Sequence, residues 1–208
     1  MRTLDEAALA ASTCTRCRLS QTRTQVVYGA GNPRADLMFI GEGPGFHEDQ
    51  QGIPFVGAAG QLLNKLLAEI GIERDDVYIT NTVLCRPPGN RDPRPDETQA
   101  CQPWLDERIE LIEPAVIVTL GNWATRYVLG QQISISRVRG QRFPWNGRTV
   151  IPTFHPAAVL HGGGENSRQM ASMRADFEAM RTALAERVQP VVVPEMPNQM
   201  AEEQLGLF

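Results

Sequence analysis

Four short apolar runs, each ending in a loop of glycine, proline or a single polar residue, constrain this chain's fold more than any other feature. Ala35–Ile40 (ADLMFI) runs into Gly41-Glu42-Gly43-Pro44-Gly45. Val77–Leu84 (VYITNTVL), rich in β-branched residues, runs into Arg86-Pro87-Pro88-Gly89-Asn90-Arg91-Asp92-Pro93. Ala115–Leu120 (AVIVTL) turns at Gly121-Asn122, and Thr149–Phe154 ends at His155-Pro156-Ala157-Ala158. Runs this short and apolar read as buried strands. Helical signals lie between them. Leu62, Leu63, Leu66, Leu67 and Ile70 form one stripe closed by Gly71, a second helix starts near Pro95 and runs through Ile112, and a third spans roughly residues 168–187. Val138–Trp145 reads as a hairpin arm. The alternation predicts an α/β protein, a three-layer α/β/α sandwich around a central, mostly parallel sheet.

The loop Gly41–Asp49 (GEGPGFHED) is the first candidate for function. Ligands of open α/β sheets bind beyond the carboxyl ends of the strands. Glycines let backbone approach a flat ligand, prolines stiffen the loop, and carboxylates supply charge for chemistry or for a cation. The plain alternative is a surface connector. A formal net charge of -4 argues against a strongly basic nucleic-acid binder, while leaving room for a local basic face. Lys65 is the only lysine, so arginine, suited to bidentate phosphate contacts, is the usual cation. No run approaches the ~18 apolar residues of a membrane span. The N-terminus is acidic and lacks a signal-peptide core, so a cytoplasmic protein is expected.

The cysteines are Cys14 and Cys17, in Cys-x-x-Cys spacing, then Cys85 and Cys101. In a cytoplasmic chain four cysteines suggest a metal site more than two disulfides. Tetrahedral zinc and an iron–sulfur cluster both fit, with buried thiols as the plain alternative. A single Cys-x-x-Cys knuckle and the Cys-Arg-Pro-Pro context suit a cubane cluster better. Such a site would pin the N-terminal segment to the loop at residues 86–101.

Taken together, GEGPGFHED at Gly41–Asp49, PFVG at Pro54–Gly57, TN at Thr80-Asn81, CRPPGNR at Cys85–Arg91 and HPAAVL at His155–Leu160 resemble the family 4 uracil-DNA glycosylases. The resemblance covers about residues 10–187. It implies a monofunctional glycosylase that flips uracil out of DNA and hydrolyses its N-glycosidic bond, leaving an abasic site. It also implies a 4Fe-4S cluster held by Cys14, Cys17, Cys85 and Cys101. The alternative is an iron–sulfur module that senses or traps damaged DNA without turnover. A related branch traps DNA covalently through a histidine in the loop after the second strand. No histidine stands in that loop here, so normal turnover is expected.

Under this resemblance the site residues take roles. Uracil must leave the duplex to be reached. Phe55 is the candidate to stack on the ring, with core packing as its alternative. Asn81 can offer both a donor and an acceptor, to uracil O4 and N3. His155 is the candidate donor to O2 as negative charge builds there. Gly41, Glu42 and Gly43 line the same pocket. Glu42 and Glu48 are the catalytic carboxylates: Glu42 is the candidate to orient or activate water, Glu48 the candidate to contact the base near C5 and exclude the thymine methyl, and sequence alone does not divide the two roles. Asn90 would help hold phosphate or water. Arg86, Arg91 and Arg94 are phosphate candidates. Val159 and Leu160 would wedge into the gap left by the flipped base.

Residues 1–187 are thus expected to form the glycosylase domain, as a monomer, and residues 188–208 a flexible tail. Its Gln189–Pro197 stretch holds three prolines. Its end, Gln204-Leu205-Gly206-Leu207-Phe208, resembles the pentapeptide that binds the bacterial sliding clamp, with Leu207 and Phe208 filling an apolar pocket and Gln204 fixing the register.

Overall fold

The computed structural model describes residues 2–130 and 132–188. Along them lie helix α1 (Leu4–Ser12), strands β1 (Ala30–Gly31) and β2 (Leu37–Gly41), helices α2 (Phe46–Gln51) and α3 (Ala58–Glu69), and strand β3 (Tyr78–Asn81). Helix α4 (Pro95–Ile112), strand β4 (Val116–Leu120), helices α5 (Gly121–Leu129) and α6 (Ile135–Val138), strands β5 (Phe143–Trp145) and β6 (Arg148–Thr153), and helices α7 (Pro156–His161) and α8 (Arg168–Val188) follow. The sheet order is β1-β3-β2-β4-β6-β5. The four inner strands are parallel, and β1 and β5 run antiparallel at the two edges.

Period-two alternation on these strands builds two cores. Leu37 and Phe39 of β2, Val116 and Val118 of β4 and Ile151 of β6 face one side, against the α3 stripe of Leu62, Leu63, Leu66 and Leu67 and against Met173, Phe177 and Met180 of α8. Met38, Ile40, Ile117 and Val150 face the other side, against Leu105, Ile109 and Ile112 of α4 and Ala124 and Val128 of α5. The expected three-layer α/β/α sandwich is therefore present, with both sheet faces covered. A third, smaller core joins Ala7 and Ala11 of α1 to Trp104, Cys85 and Cys101.

Several boundaries differ from the sequence expectation. The β3 ladder stops at Asn81, not Leu84. Thr82 and Val83 instead donate their backbone N–H groups to Gly41 O and Glu42 O, at 2.9 and 3.3 Å. The hairpin arm starts at Phe143 because Ile135–Val138 coils into α6. The edge strand β1 is only two residues long and gives little periodicity to read. Val188 closes α8, one residue past the expected domain end, and the rest of the tail, with the Gln204–Phe208 motif, lies outside the described residues. Among the described residues no helix is long and apolar enough to cross a membrane.

Candidate active site

The carboxyl ends of β2, β3 and β6 converge on one pocket of about 330 Å³. Glu42, Gly43, Glu48, Phe55, Asn81, Asn90, Arg91 and His155 line it, so eight of the residues singled out from sequence share one wall. The register explains the closest pair: Gly41 of β2 lies opposite Asn81 of β3. A Cβ at position 41 would stand 2.4 Å from Asn81 Oδ1 and 2.8 Å from the Phe55 ring. Only glycine lets the carboxamide and the aromatic ring approach each other there.

Phe55 adopts a left-handed backbone, φ 54°, which a bulky residue takes only when its surroundings hold it. Two features hold it. Glu48 Oε1 accepts from the N–H groups of Val56 and Gly57, both at 2.9 Å. On the other side α3 packs so tightly that a Cβ on Gly60 would fall 1.7 Å from Phe55 O. Of the two carboxylates that sequence left undivided, Glu48 is thus bonded into the loop that presents Phe55.

Glu42 keeps its backbone clamped, its carbonyl accepting from Thr82 Oγ1 at 2.5 Å. Burial pushes its carboxyl pKa up to about 7, and Asp92 beside it adds to the rise through charge and a hydrogen bond. His155 caps α7, with Nδ1 accepting from Ala157 N–H at 3.2 Å. Burial lowers the imidazole pKa to about 4, so the ring is neutral at pH 7. Because Nδ1 is an acceptor, the ring proton sits on Nε2 and makes that atom a donor. The Phe55 and His155 rings lie 5.7 Å apart at 30°. Asn81 is 1% exposed, and its Oδ1 has no hydrogen-bond partner among the described residues. A buried carbonyl acceptor without a donor is unfavourable unless a ligand supplies one.

The loop after β3 is tied down by its own side chains. Arg91 makes a two-pronged pair with Glu97, at 2.8 and 2.6 Å, and the Glu97 side chain is fully buried. That loop-closing role was not foreseen for an expected phosphate contact. Asn90, exposed and at φ 55°, accepts from Arg86 Nε at 2.6 Å. One expectation is corrected outright. Val159 is 0% exposed and packs into the core beside α3 and α8, so it cannot wedge into a duplex; Leu160, 38% exposed, can. Successive residues of a helix lie about 100° apart, so one can be buried and the next exposed, and the HPAAVL string does not say which.

The four cysteines meet in the third core. Donors address three of the sulfurs: Trp104 Nε1 to Cys14 at 3.3 Å, Arg23 to Cys85 at 3.3 Å and Leu84 N–H to Cys101 at 3.4 Å. Burial raises the thiol pKa values of Cys17, Cys85 (to about 11) and Cys101, and negative charge on neighbouring cysteines adds to each rise. Four thiolates can share this space only around a cationic centre. No group of three or more His, Cys, Asp or Glu among the described residues closes into a ready-made metal site. The fit therefore rests on the shared core and its donors.

Sequence reasoning missed Arg108. It is fully buried on α4 and donates to Trp104 O (3.0 Å), Asn81 O (3.3 Å), Tyr28 O and Thr80 Oγ1. An arginine within the otherwise apolar face Leu105, Ile109 and Ile112 was the signal available.

With this geometry in place, relatives can be compared. A family model described as the uracil DNA glycosylase superfamily matches residues 28–178. The chain is 48% identical over 177 residues to a type-4 uracil-DNA glycosylase of Sulfurisphaera tokodaii, covering 81% of this chain and 79% of that one. It is 50% identical over 159 residues to a type-4 uracil-DNA glycosylase of Thermotoga maritima, covering 76% and 83%. A type-5 uracil-DNA glycosylase of Thermus thermophilus is 34% identical over 177 residues, covering 76% and 80%. The chain belongs to the uracil-DNA glycosylase superfamily and, within it, to the type-4 branch.

Proposed function

We propose that this chain is a hydrolase that excises uracil from DNA and leaves an abasic site. The observation that carries the reading is Asn81 Oδ1, buried without a partner beside the Phe55 ring. Uracil presents N3–H to that acceptor and O4 to the amide N–H of the same side chain. Cytosine presents an acceptor at N3 and donors at C4, so both contacts turn repulsive. Phe55 covers the ring face, and Gly41 and Gly43 keep the wall flat.

Catalysis follows from the two perturbed groups. As the C1′–N1 bond breaks, its electron pair stays with uracil and charge builds on O2. The neutral His155 donates Nε2–H there, stabilising the leaving anion in a dry pocket. Water adds to C1′ of the oxocarbenium-like sugar, and the Glu42 carboxylate takes its proton. Glu48 works at one remove, by holding Phe55. A sensor without turnover would leave His155 and Glu42 without a task. Lys65, the one lysine of the sequence, pairs with Glu165 on the surface, away from the pocket lining, so it offers no amine there for a Schiff base.

Cys14, Cys17, Cys85 and Cys101 would hold a 4Fe-4S cluster, which here supplies structure, pinning α1 and the Cys-x-x-Cys turn to the loop that carries Asn90 and Arg91. Brown colour, absorbance near ~400 nm and iron in the purified protein check this. The wider reading is a monomer of the cytoplasm, brought to DNA by a sliding clamp through Gln204, Leu205, Leu207 and Phe208. Deleting 204–208 should abolish clamp binding and spare excision. The function itself is tested by incubating the protein with a duplex carrying one uracil and assaying free base. Release of uracil, with thymine and cytosine duplexes untouched, is expected; no release overturns the reading.

A further inference from the structure

We propose that Phe46, with Arg86 stacked on it, forms a platform for the nucleobase next to the extrahelical uracil. The proposal rests on the glycosylase reading above. Phe46 opens α2 directly after Gly45, and Arg86, which lies over its ring, directly precedes Pro87; Gly45 and Pro87 both line the pocket, so the Phe46–Arg86 pair sits beside it. It is 51% exposed, and the packing of the domain gives no reason for a large aromatic side chain to be left there. Two groups frame it. His47 meets it edge-on, with ring centroids 5.4 Å apart at 79°. The Arg86 guanidinium lies 5.1 Å from its centroid.

Arg86 comes from the loop after β3, next to Pro87 in the sequence; Pro87 lines the pocket, as does Asn90, which holds the Arg86 Nε. Arg91 is engaged by Glu97, whereas no carboxylate pairs with Arg86 among the described residues. An aromatic face and an unneutralised cation, joined beside a base pocket, match a nucleotide's two halves. The base stacks on the ring and the phosphate meets the guanidinium. When uracil leaves the duplex, its neighbour loses a stacking partner, and Phe46 replaces it. Since every base has a π-face, the platform reads no sequence.

The test uses oligonucleotides with 2-aminopurine on either side of 2′-fluoro-2′-deoxyuridine, which resists cleavage. 2-Aminopurine is dim when stacked and bright when its stack opens. With the wild-type protein the signal stays low on the side that Phe46 covers. Phe46→Ala is expected to bind roughly tenfold more weakly and to leave that 2-aminopurine bright. Phe46→Trp restores both, and uracil release at saturating DNA changes less than about threefold, because the ring does not touch uracil. Unchanged affinity and fluorescence in Phe46→Ala, with the wild type excising uracil, overturns the platform alone. Weaker binding without a fluorescence change also overturns it, since the residue would then act through its loop. A wild-type protein that releases no uracil overturns the glycosylase reading beneath it.

Discussion

Two sets of polar groups meet near the carboxyl end of β3, and they are treated in opposite ways. Arg108 reaches under the strand as a fully buried cation and donates to four acceptors: Trp104 O, Tyr28 O, Thr80 Oγ1 and Asn81 O. One side chain away, the carboxamide of Asn81 keeps a buried acceptor without a donor, and Glu42 and His155 carry pKa values displaced by burial. Partners turn the first set into a brace. In the second set the unpartnered acceptor of Asn81 marks a candidate site, because a ligand gains what the protein leaves unmade. By bonding the Asn81 carbonyl, Arg108 also fixes the backbone from which the carboxamide proposed to read uracil projects.

The contrast can be broken most sharply at Asn81. Asn81→Ala should lower uracil excision by about 10²–10³-fold while leaving the melting temperature nearly unchanged, since the group removed has no partner to lose. Arg108→Met should do the reverse in kind. It strands several buried acceptors and costs on the order of 3 kcal/mol, read as a lower denaturation midpoint, with excision falling only as far as Asn81 shifts. A stable Arg108→Met protein would erase the distinction.

The pH profile sharpens it. Only ionised Glu42 can take a proton from water. Its pKa lies near 7, so single-turnover excision should fall about tenfold per pH unit below 7 and level off above it. His155 stays neutral down to about pH 4, so this acid limb belongs to Glu42. Asp92→Asn removes the neighbouring carboxylate that helps raise the Glu42 pKa, and should move the limb to lower pH. Burial, the larger cause, remains, so the limb stays above the ordinary carboxylate range. The smallest effects separate Val159 from Leu160. Val159→Ala should cost roughly 1–2 kcal/mol of stability and spare excision. Leu160→Ala should leave stability within about 0.5 kcal/mol and weaken duplex binding a few-fold. Equal behaviour of the two would contradict their opposite burial.

Much of this was legible in the sequence because single residues fix it. The four inner strands announce themselves as apolar runs, and Glu42, Asn81 and His155 stand at or just beyond their carboxyl ends. What was not legible depends on facing and partners. HPAAVL gives no sign that Val159 turns inward. GEGPGFHED offers two carboxylates, and only the two N–H bonds from Val56 and Gly57 show that Glu48 holds the Phe55 loop. CRPPGNR offers two arginines, and only the structure shows that Arg91 closes the loop on the buried Glu97 while Arg86, held by Asn90, lies over Phe46. The edge strand β1 is too short for a period, and Arg108 breaks an apolar helix face for reasons that lie on another element.

The most direct measurement pairs two readouts on one variant: single-turnover uracil release and thermal unfolding of Asn81→Ala beside the wild type. The account predicts excision lost by at least about 100-fold with the melting temperature held within about 2 °C. Retained excision, or a collapsed melting temperature, would contradict the claim that Asn81 is buried for its ligand and not for the fold.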